Sequence, residues 1–334
     1  MLRTEDFNWK VPKELIAQEP ATPRDSSRLL VLHRDTGEIQ HTIFSEIGNF
    51  LKSGDALVIN DTKVIPSRLL TDDGRVVLLL RKLDSGLWQA LGEKGVFKLG
   101  DMFFVGDKVE GRVVNEPPQT VGMLGESMLT VSIEGEENLS QIGKVPLPPY
   151  ITAFHGDPNR YQTIYAYNRG SAAAPTAGFH FTSDLLSDLM RKGVDLVKVT
   201  LHVSVDTFLP IAEDNVAEHK IYSEYIRVNK EAARQLRDAR RIICVGTTSV
   251  RTIEQMYQWK GEIAPCEGFA DIYILPGYRF HIDRLITNFH YPRSSNLLLT
   301  TAFAGNKDLL YKAYQTAIQM RYRFYSFGDA MLIV

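Results

Sequence analysis

The chain has 334 residues, 44% of them hydrophobic and 23% charged, with a formal net charge of −2. That length favours two domains over one, and the near-neutral balance argues against a chain coated in nucleic acid while leaving room for a local basic patch. No apolar run reaches the roughly 20 residues that a membrane span needs. The start, MLRTEDFNWKVPKELIAQ, has no secretory character. The two cysteines, Cys244 and Cys266, have no metal-ligand spacing, which fits a reducing cytoplasm.

In chain order, RLLVLHR reads as a strand, FSEIGNFL as a short helix and DALVIND as a strand. From Val76 to about Ser132 the pattern changes. RVVLLLRKLDSGLWQAL, MFFVGDKVEGRVVN and SMLTVSIEGE are β-rich runs at close spacing with no helical period, the pattern of a small antiparallel barrel or sandwich. After the proline-rich KVPLPPYI, helices alternate with strands again. TSDLLSDLMRKG opens on the N-cap Thr182 and ends at Gly193, and the strand VDLVKVTLHV follows. NKEAARQLRDARR is a helix leading into the strand IICVG, with the helix TTSVRTIEQMYQW after it. The expected fold is mixed α/β: a larger α/β domain from residues 1–65 and 146–334, interrupted by an all-β insertion over residues 66–145.

Several stretches carry candidate chemistry. SAAAPTAGFHFT (residues 171–182) is too small to fill a core and too apolar for an idle loop. Pro175 and Gly178 break regular structure there, so something must approach this backbone closely. In IICVGTTSVRTIE, Gly246 and the hydroxyls of Thr247, Thr248 and Ser249 start a helix whose free N–H groups can hold an anion or a ribose; a plain helix cap reads equally well. Of eight histidines, His180, His202, His219 and His290 sit in unusual contexts with no metal spacing, pointing to a pocket that handles protons. His219 and Glu224 are expected on an exposed connection. Asn60, Asp61 and Thr62 end a strand, where polar groups face either a ligand crevice or a turn. Near the N-terminus, EPATPRDSSRLLVL places Arg24, Asp25 and Arg28 together. MRYRFYSFGDAMLIV interleaves Arg321 and Arg323 with aromatic rings, which suits stacking on bases or a last buried strand.

LIAQEPATPRDSSRLLVL, VINDTKVIPSRL, GKVPLPPYI, RYQTIYA, AAPTAGFHFT, VGTTSVRTIE, PGYRF, LITNFHYPRS and YRFYSFGDAML together resemble, in order and from about residue 5 onward, the S-adenosylmethionine:tRNA ribosyltransferase-isomerase family of queuosine synthesis. The resemblance implies a cytoplasmic enzyme that moves and isomerises the ribosyl part of S-adenosylmethionine onto an aminomethyl-deazaguanine at the tRNA wobble position. The products are epoxyqueuosine-tRNA, adenine and methionine. S-adenosylmethionine is then consumed rather than kept as a cofactor, no metal is used, and the partner is a tRNA anticodon stem-loop bound by a monomer. It also implies a barrel-like sheet in the larger domain and a smaller β-barrel.

On that resemblance His180 or His202 is the candidate base, with Asp61 as its partner. Asn60, Thr176, Gly178, Thr247, Thr248, Ser249, Arg251, Asn288 and His290 are candidate substrate contacts. Arg24, Arg321 and Arg323 are candidates for the RNA. The small residues around Gly178 let a flat adenosine or an extruded base lie against the backbone. The chain departs from the family at HVSVDTF, where Ser204 and Asp206 stand for glycines, and it is short after Leu70. The rival readings are a catalytically silent RNA-binding relative and an S-adenosylmethionine-dependent methyltransferase. The second needs a glycine-rich loop after the first strand, and RLLVLHRDTGEI offers only Gly37 in a hairpin.

Overall fold

Apolar runs of two kinds, continuous and alternating, become strands of two different sheets in the computed structural model, which describes residues 2–115, 120–121, 126–204 and 210–334, with Thr120, Val121 and Glu126 as backbone. The first strands are β1 (Arg28–Leu32), β2 (Ile39–Ile43), β3 (Asp55–Asn60) and the short β4 (Thr62–Val64). Then come β5 (Arg68–Leu70), β6 (Val76–Asp84), β7 (Leu87–Glu93), β8 (Met102–Val105), β9 (Val109–Val113), β10 (Thr120–Val121) and β11 (Glu126–Glu134). The remaining strands are β12 (Asn168–Ser171), β13 (Asp195–Leu201), β14 (Glu224–Val228), β15 (Arg241–Val245), β16 (Cys266–Ala270), β17 (Arg284–Asn288) and β18 (Ala330–Ile333). The helices are α1 (Leu139–Ile142), α2 (Ser183–Arg191), α3 (Lys230–Asp238), α4 (Gly246–Lys260), α5 (Ser295–Ala304) and α6 (Lys307–Gln319).

Nine strands make one sheet in the order β16-β14-β13-β3-β15-β17-β18-β1-β2. Its centre, β13, β3, β15 and β17, is parallel. Parallel strands are covered on both faces, so they read as unbroken apolar runs, and every residue of β3 is buried. Alternation sends Leu30, Val58, Val197 and Cys244 to a face covered by α3, α4, α5 and α6. Their neighbours Leu29, Leu57, Ile243 and Val245 face the other way, against α2, Phe44 of a short helical segment and the extended Phe181. FSEIGNFL forms a 3₁₀ helix over Phe44–Phe50. The expected cap of α2 holds, with Thr182 Oγ1 accepting the Leu185 N–H at 3.2 Å, and Asn229 Oδ1 caps α3 through the Ala232 N–H at 2.8 Å. Gly37 sits in the turn between β1 and β2, with φ +73°. Among the described residues no helix is long and apolar enough to cross a membrane.

The second sheet runs β5-β6-β7-β11-β9-β8, with β10 added on β11. It has its own core, including Leu69, Val77, Trp88, Phe103, Leu129 and Val131. Phe103 crosses that core so closely that a Cβ on Gly111 would lie 2.0 Å from its ring, hence the glycine. The short turn after Leu70 brings the outer strands together. The Asp72 N–H donates to Phe104 O at 2.9 Å and the Arg75 guanidinium to Met102 O at 2.8 Å, so the sheet nearly closes into a barrel. Its two ends lie side by side, since Arg68 and Lys144 exchange main-chain hydrogen bonds of 3.0 and 2.9 Å.

One expectation is corrected. Glu224 is not on an exposed connection: it lies in β14 with 1% of its surface exposed, because it neutralises the buried guanidinium of Arg251. His219 is half-buried, with Nδ1 2.9 Å from Glu213 Oε2.

Candidate active site

The four central parallel strands end on one side of the large sheet, where ligands gather in open α/β folds. β13 delivers His202 and Val203, β3 delivers Asp61, β15 runs into Gly246–Thr248, and β17 ends in Asn288 before His290. Two cavities form there. The first, a cleft, is walled by the Ala174–Ala177 backbone, the start of α4, Asn288, His290, Tyr325 and Ser326. The second, a groove between the two sheets, is walled by His202, Ser204, Arg169, Tyr225, Trp88 and Phe269. Val203 faces the cleft while its neighbours His202 and Ser204 face the groove, so one extended segment joins them.

In the cleft, Gly246 turns the chain from β15 into α4 at φ +84°, a conformation that side chains resist. The three hydroxyls after it diverge. Thr247 Oγ1 donates to Asn296 Oδ1 at 2.8 Å, and Ser249 Oγ donates back to Val245 O at 2.8 Å, inside the helix. Thr248 Oγ1 is buried with no protein partner, which leaves it for a ligand. Asn288 reaches three groups: its Nδ2 lies 3.2 Å from His180 Nε2 and 3.4 Å from Tyr325 O, and its Oδ1 accepts from Thr176 Oγ1 at 3.4 Å.

His180 stands behind Asn288, away from both cavity walls, with 3% of its surface exposed. With the Asn288 amide donating to Nε2, the ring proton sits on Nδ1 and is given to Ser27 Oγ at 2.7 Å. Burial lowers its pKa to about 4, so the ring is neutral. His290 does line the cleft; its Nε2 is 2.8 Å from Thr287 Oγ1, and burial pushes its pKa to about 3.

His202 lies in the groove. Its Nδ1 is 2.8 Å from Thr62 Oγ1 and its ring stacks on Tyr225 at 5.4 Å and 23°. Nε2 packs against Gly170. Burial lowers the His202 pKa and the Asp61 carboxylate opposes that shift. Asp61 accepts from Thr200 Oγ1 at 2.7 Å and from Asn168 Nδ2 at 2.9 Å. Asn60 is committed to the fold, bridging Leu201 O and the Leu201 and Thr62 N–H groups.

Arg251 pairs with Glu224, which also accepts the Ser204 N–H at 2.7 Å. Ser204 is buried and described; Asp206 lies outside the described residues. What approaches Gly178 is the chain's own Tyr165, whose hydroxyl would be 2.0 Å from a Cβ there. Arg24 donates to Gln162 O and Phe179 O, and Arg323 pairs with Asp329 at 3.4 Å. Arg321 follows α6, exposed. Among the described residues no three of His, Cys, Asp or Glu converge on a point that could hold a metal. The sequence reading passed over Tyr150, whose hydroxyl is 2.7 Å from Ser326 Oγ, and took Tyr325, held at φ +70°, only as one of the C-terminal aromatic rings; both line the cleft. Of the groove residues, the sequence singled out His202, Ser204 and Glu224, and nothing local marked Arg81, Trp88, Arg169, Tyr225 or Phe269.

The family model described as "Queuosine biosynthesis protein" matches residues 4–333. A S-adenosylmethionine:tRNA ribosyltransferase-isomerase of Desulfitobacterium hafniense is 47% identical, covering 100% of both chains, and one of Symbiobacterium thermophilum is 45% identical over the same share. The crystal structure of S-adenosylmethionine tRNA ribosyltransferase from Thermotoga maritima, 35% identical, covers 98% of this chain and 100% of its own with a TM-score of 0.56. The ordered motifs and the full-length identity lead to one conclusion: the chain belongs to the S-adenosylmethionine:tRNA ribosyltransferase-isomerase family of queuosine biosynthesis proteins.

Proposed function

We propose that the protein transfers and isomerises the ribosyl moiety of S-adenosylmethionine onto the aminomethyl-deazaguanine at the tRNA wobble position, giving epoxyqueuosine-tRNA, adenine and methionine. The observation that carries this is the 47% identity over the whole of both chains to a relative of that name. S-adenosylmethionine is a substrate, consumed each turnover, and the cytoplasm is the place of action. The enzyme works as a monomer, with residues 66–145 a β-barrel inserted in an α/β domain of residues 1–65 and 146–334 whose sheet is barrel-like.

The cleft, with about 60 Å³ of space, suits the carboxylate end of the donor. The free hydroxyl of Thr248, the first N–H groups of α4 and the Asn288 amide face it, and a helix start favours a carboxylate. The positive sulfonium acidifies the hydrogens on the ribose carbon beside it. His202 is the better base of the two candidates, because its ring borders a cavity and Asp61 supports its charged form, whereas both nitrogens of His180 are engaged. Once His202 holds that proton, adenine leaves, the aminomethyl nitrogen forms its bond to the ribosyl carbon, and epoxide closure expels methionine. His180 orients Asn288.

The test is adenine release. With S-adenosylmethionine and tRNA carrying the modified base, adenine appears at a rate that excess chelator does not change; with guanine at the wobble position it does not appear. Tight binding of the modified tRNA with no adenine would identify a silent RNA-binding relative instead.

A further inference from the structure

The groove between the two sheets contains planar groups in contact, of which only His202 has a part in the steps above. His202 stacks on Tyr225; Tyr225 meets the Phe269 ring edge-on at 5.9 Å and 69°; the Arg81 guanidinium carbon lies 4.8 Å from the Phe269 centroid. These groups come from β13, β14, β16 and β6, so the surface exists only where the sheets meet. Phe269 is 52% exposed, costly for a ring on an edge strand unless something covers it. Trp88 Nε1 and Arg81 Nε are buried at the same wall with no hydrogen-bond partner. The groove has about 520 Å³ of space, within the range of small-ligand sites.

Its charge is one-sided. Lys82 is neutralised by Glu136 at 2.5 Å, and Glu224 by Arg251. Arg81 and Arg169 line the groove, and among the described residues neither has a carboxylate within ion-pair distance. A cationic, ring-lined slot is the arrangement that holds unpaired nucleotides, with bases on the rings and phosphates on the arginines.

We propose that this groove is the acceptor site, taking an unpaired nucleotide of the RNA loop with its base against Tyr225 and Phe269 and its flanking phosphates on Arg81 and Arg169. This rests on the activity proposed above and divides the substrates between the cavities: donor in the cleft, acceptor in the groove, meeting at the 202–204 segment.

The test uses the full chain and a fluorescein-labelled anticodon stem-loop, with anisotropy read from 50 to 300 mM KCl. Phe269→Ala weakens binding at least tenfold. Arg81→Ala/Arg169→Ala weakens it similarly and lowers the slope of log Kd against log salt by about 1.4, the loss of two single-strand phosphate contacts. Unchanged melting temperature and unchanged calorimetric affinity for S-adenosylmethionine separate this from misfolding. Wild-type-like RNA affinity in these variants, or loss of S-adenosylmethionine binding with the fold intact, overturns the groove assignment alone. A wild-type chain that binds no stem-loop overturns the proposed function and the groove with it.

Discussion

His180 and His202 show how surroundings divide one side chain between two tasks. His180 has both nitrogens bonded in a dry site, while His202 has one nitrogen on Thr62 and a ring bordering the groove. His202→Ala is therefore expected to lower kcat by roughly 100-fold with an unchanged melting temperature, whereas His180→Ala lowers the melting temperature, which a thermal scan beside the adenine assay resolves. The pH dependence follows from the same burial. The folded His180 pKa of about 4 lies below its ordinary 6.5, so the unfolded chain binds the proton first. Stability is complete above about pH 6.5 and falls as pH drops toward 4, with His290 extending the fall toward 3. In His180→Gln the melting temperature should fall less steeply across that window; an identical slope would exclude His180 as its source. Gly178 is decided by volume. A Cβ would meet Tyr165 and Thr163, so Gly178→Ala should cost about 1–3 kcal/mol, and Tyr165→Phe in the same chain should restore part of it in denaturant titrations.

Helix α4 shows how one element serves core and site together. Its first turn opens on the cleft, and from Gly246 to Met256 nearly every residue is buried. A helix so enclosed must compensate any charged side chain it carries: Arg251 pairs with Glu224 across to β14, and Glu254 accepts from Tyr278 and lies against His281. Glu224→Gln leaves the guanidinium uncompensated, with Nε and Nη2 already lacking partners. The expected cost is roughly 3–5 kcal/mol in chemical unfolding, most of it recovered by adding Arg251→Met. The helix itself was readable from its turn residues, as was the Thr182 cap of α2, because capping is local chemistry. The pairing of Arg251 was not: the sequence offered it as a ligand contact, and its partner stands 27 residues away on a strand.

The smaller sheet is carried by a segment whose ends meet. Arg68 and Lys144 are hydrogen-bonded neighbours, and the core around Leu69, Val77 and Leu129 belongs to the smaller sheet alone. About 80 residues with a private core are enough to fold. Residues 66–145 expressed alone should give a dispersed amide spectrum and one cooperative thermal transition, and the rest of the chain, closed by a short glycine-serine linker, should keep its own. A collapsed spectrum from the excised segment would show that the small sheet depends on the large one.

Periodicity and capping are short-range, so the amino-acid order alone was enough for the two kinds of β pattern, the helix ends, the β1–β2 hairpin and, through nine ordered motifs, the family. Which polar residues share a cavity depends on strand order, and strand order is set by contacts far apart in the chain. Placing β3 between β13 and β15 puts Asp61 beside His202 rather than His180. Packing likewise gave the space at Gly178 to Tyr165, and brought Arg81, Tyr225 and Phe269 from two sheets to one wall. Each of these is a matter of long-range burial and pairing, for which no local pattern in the chain is a proxy.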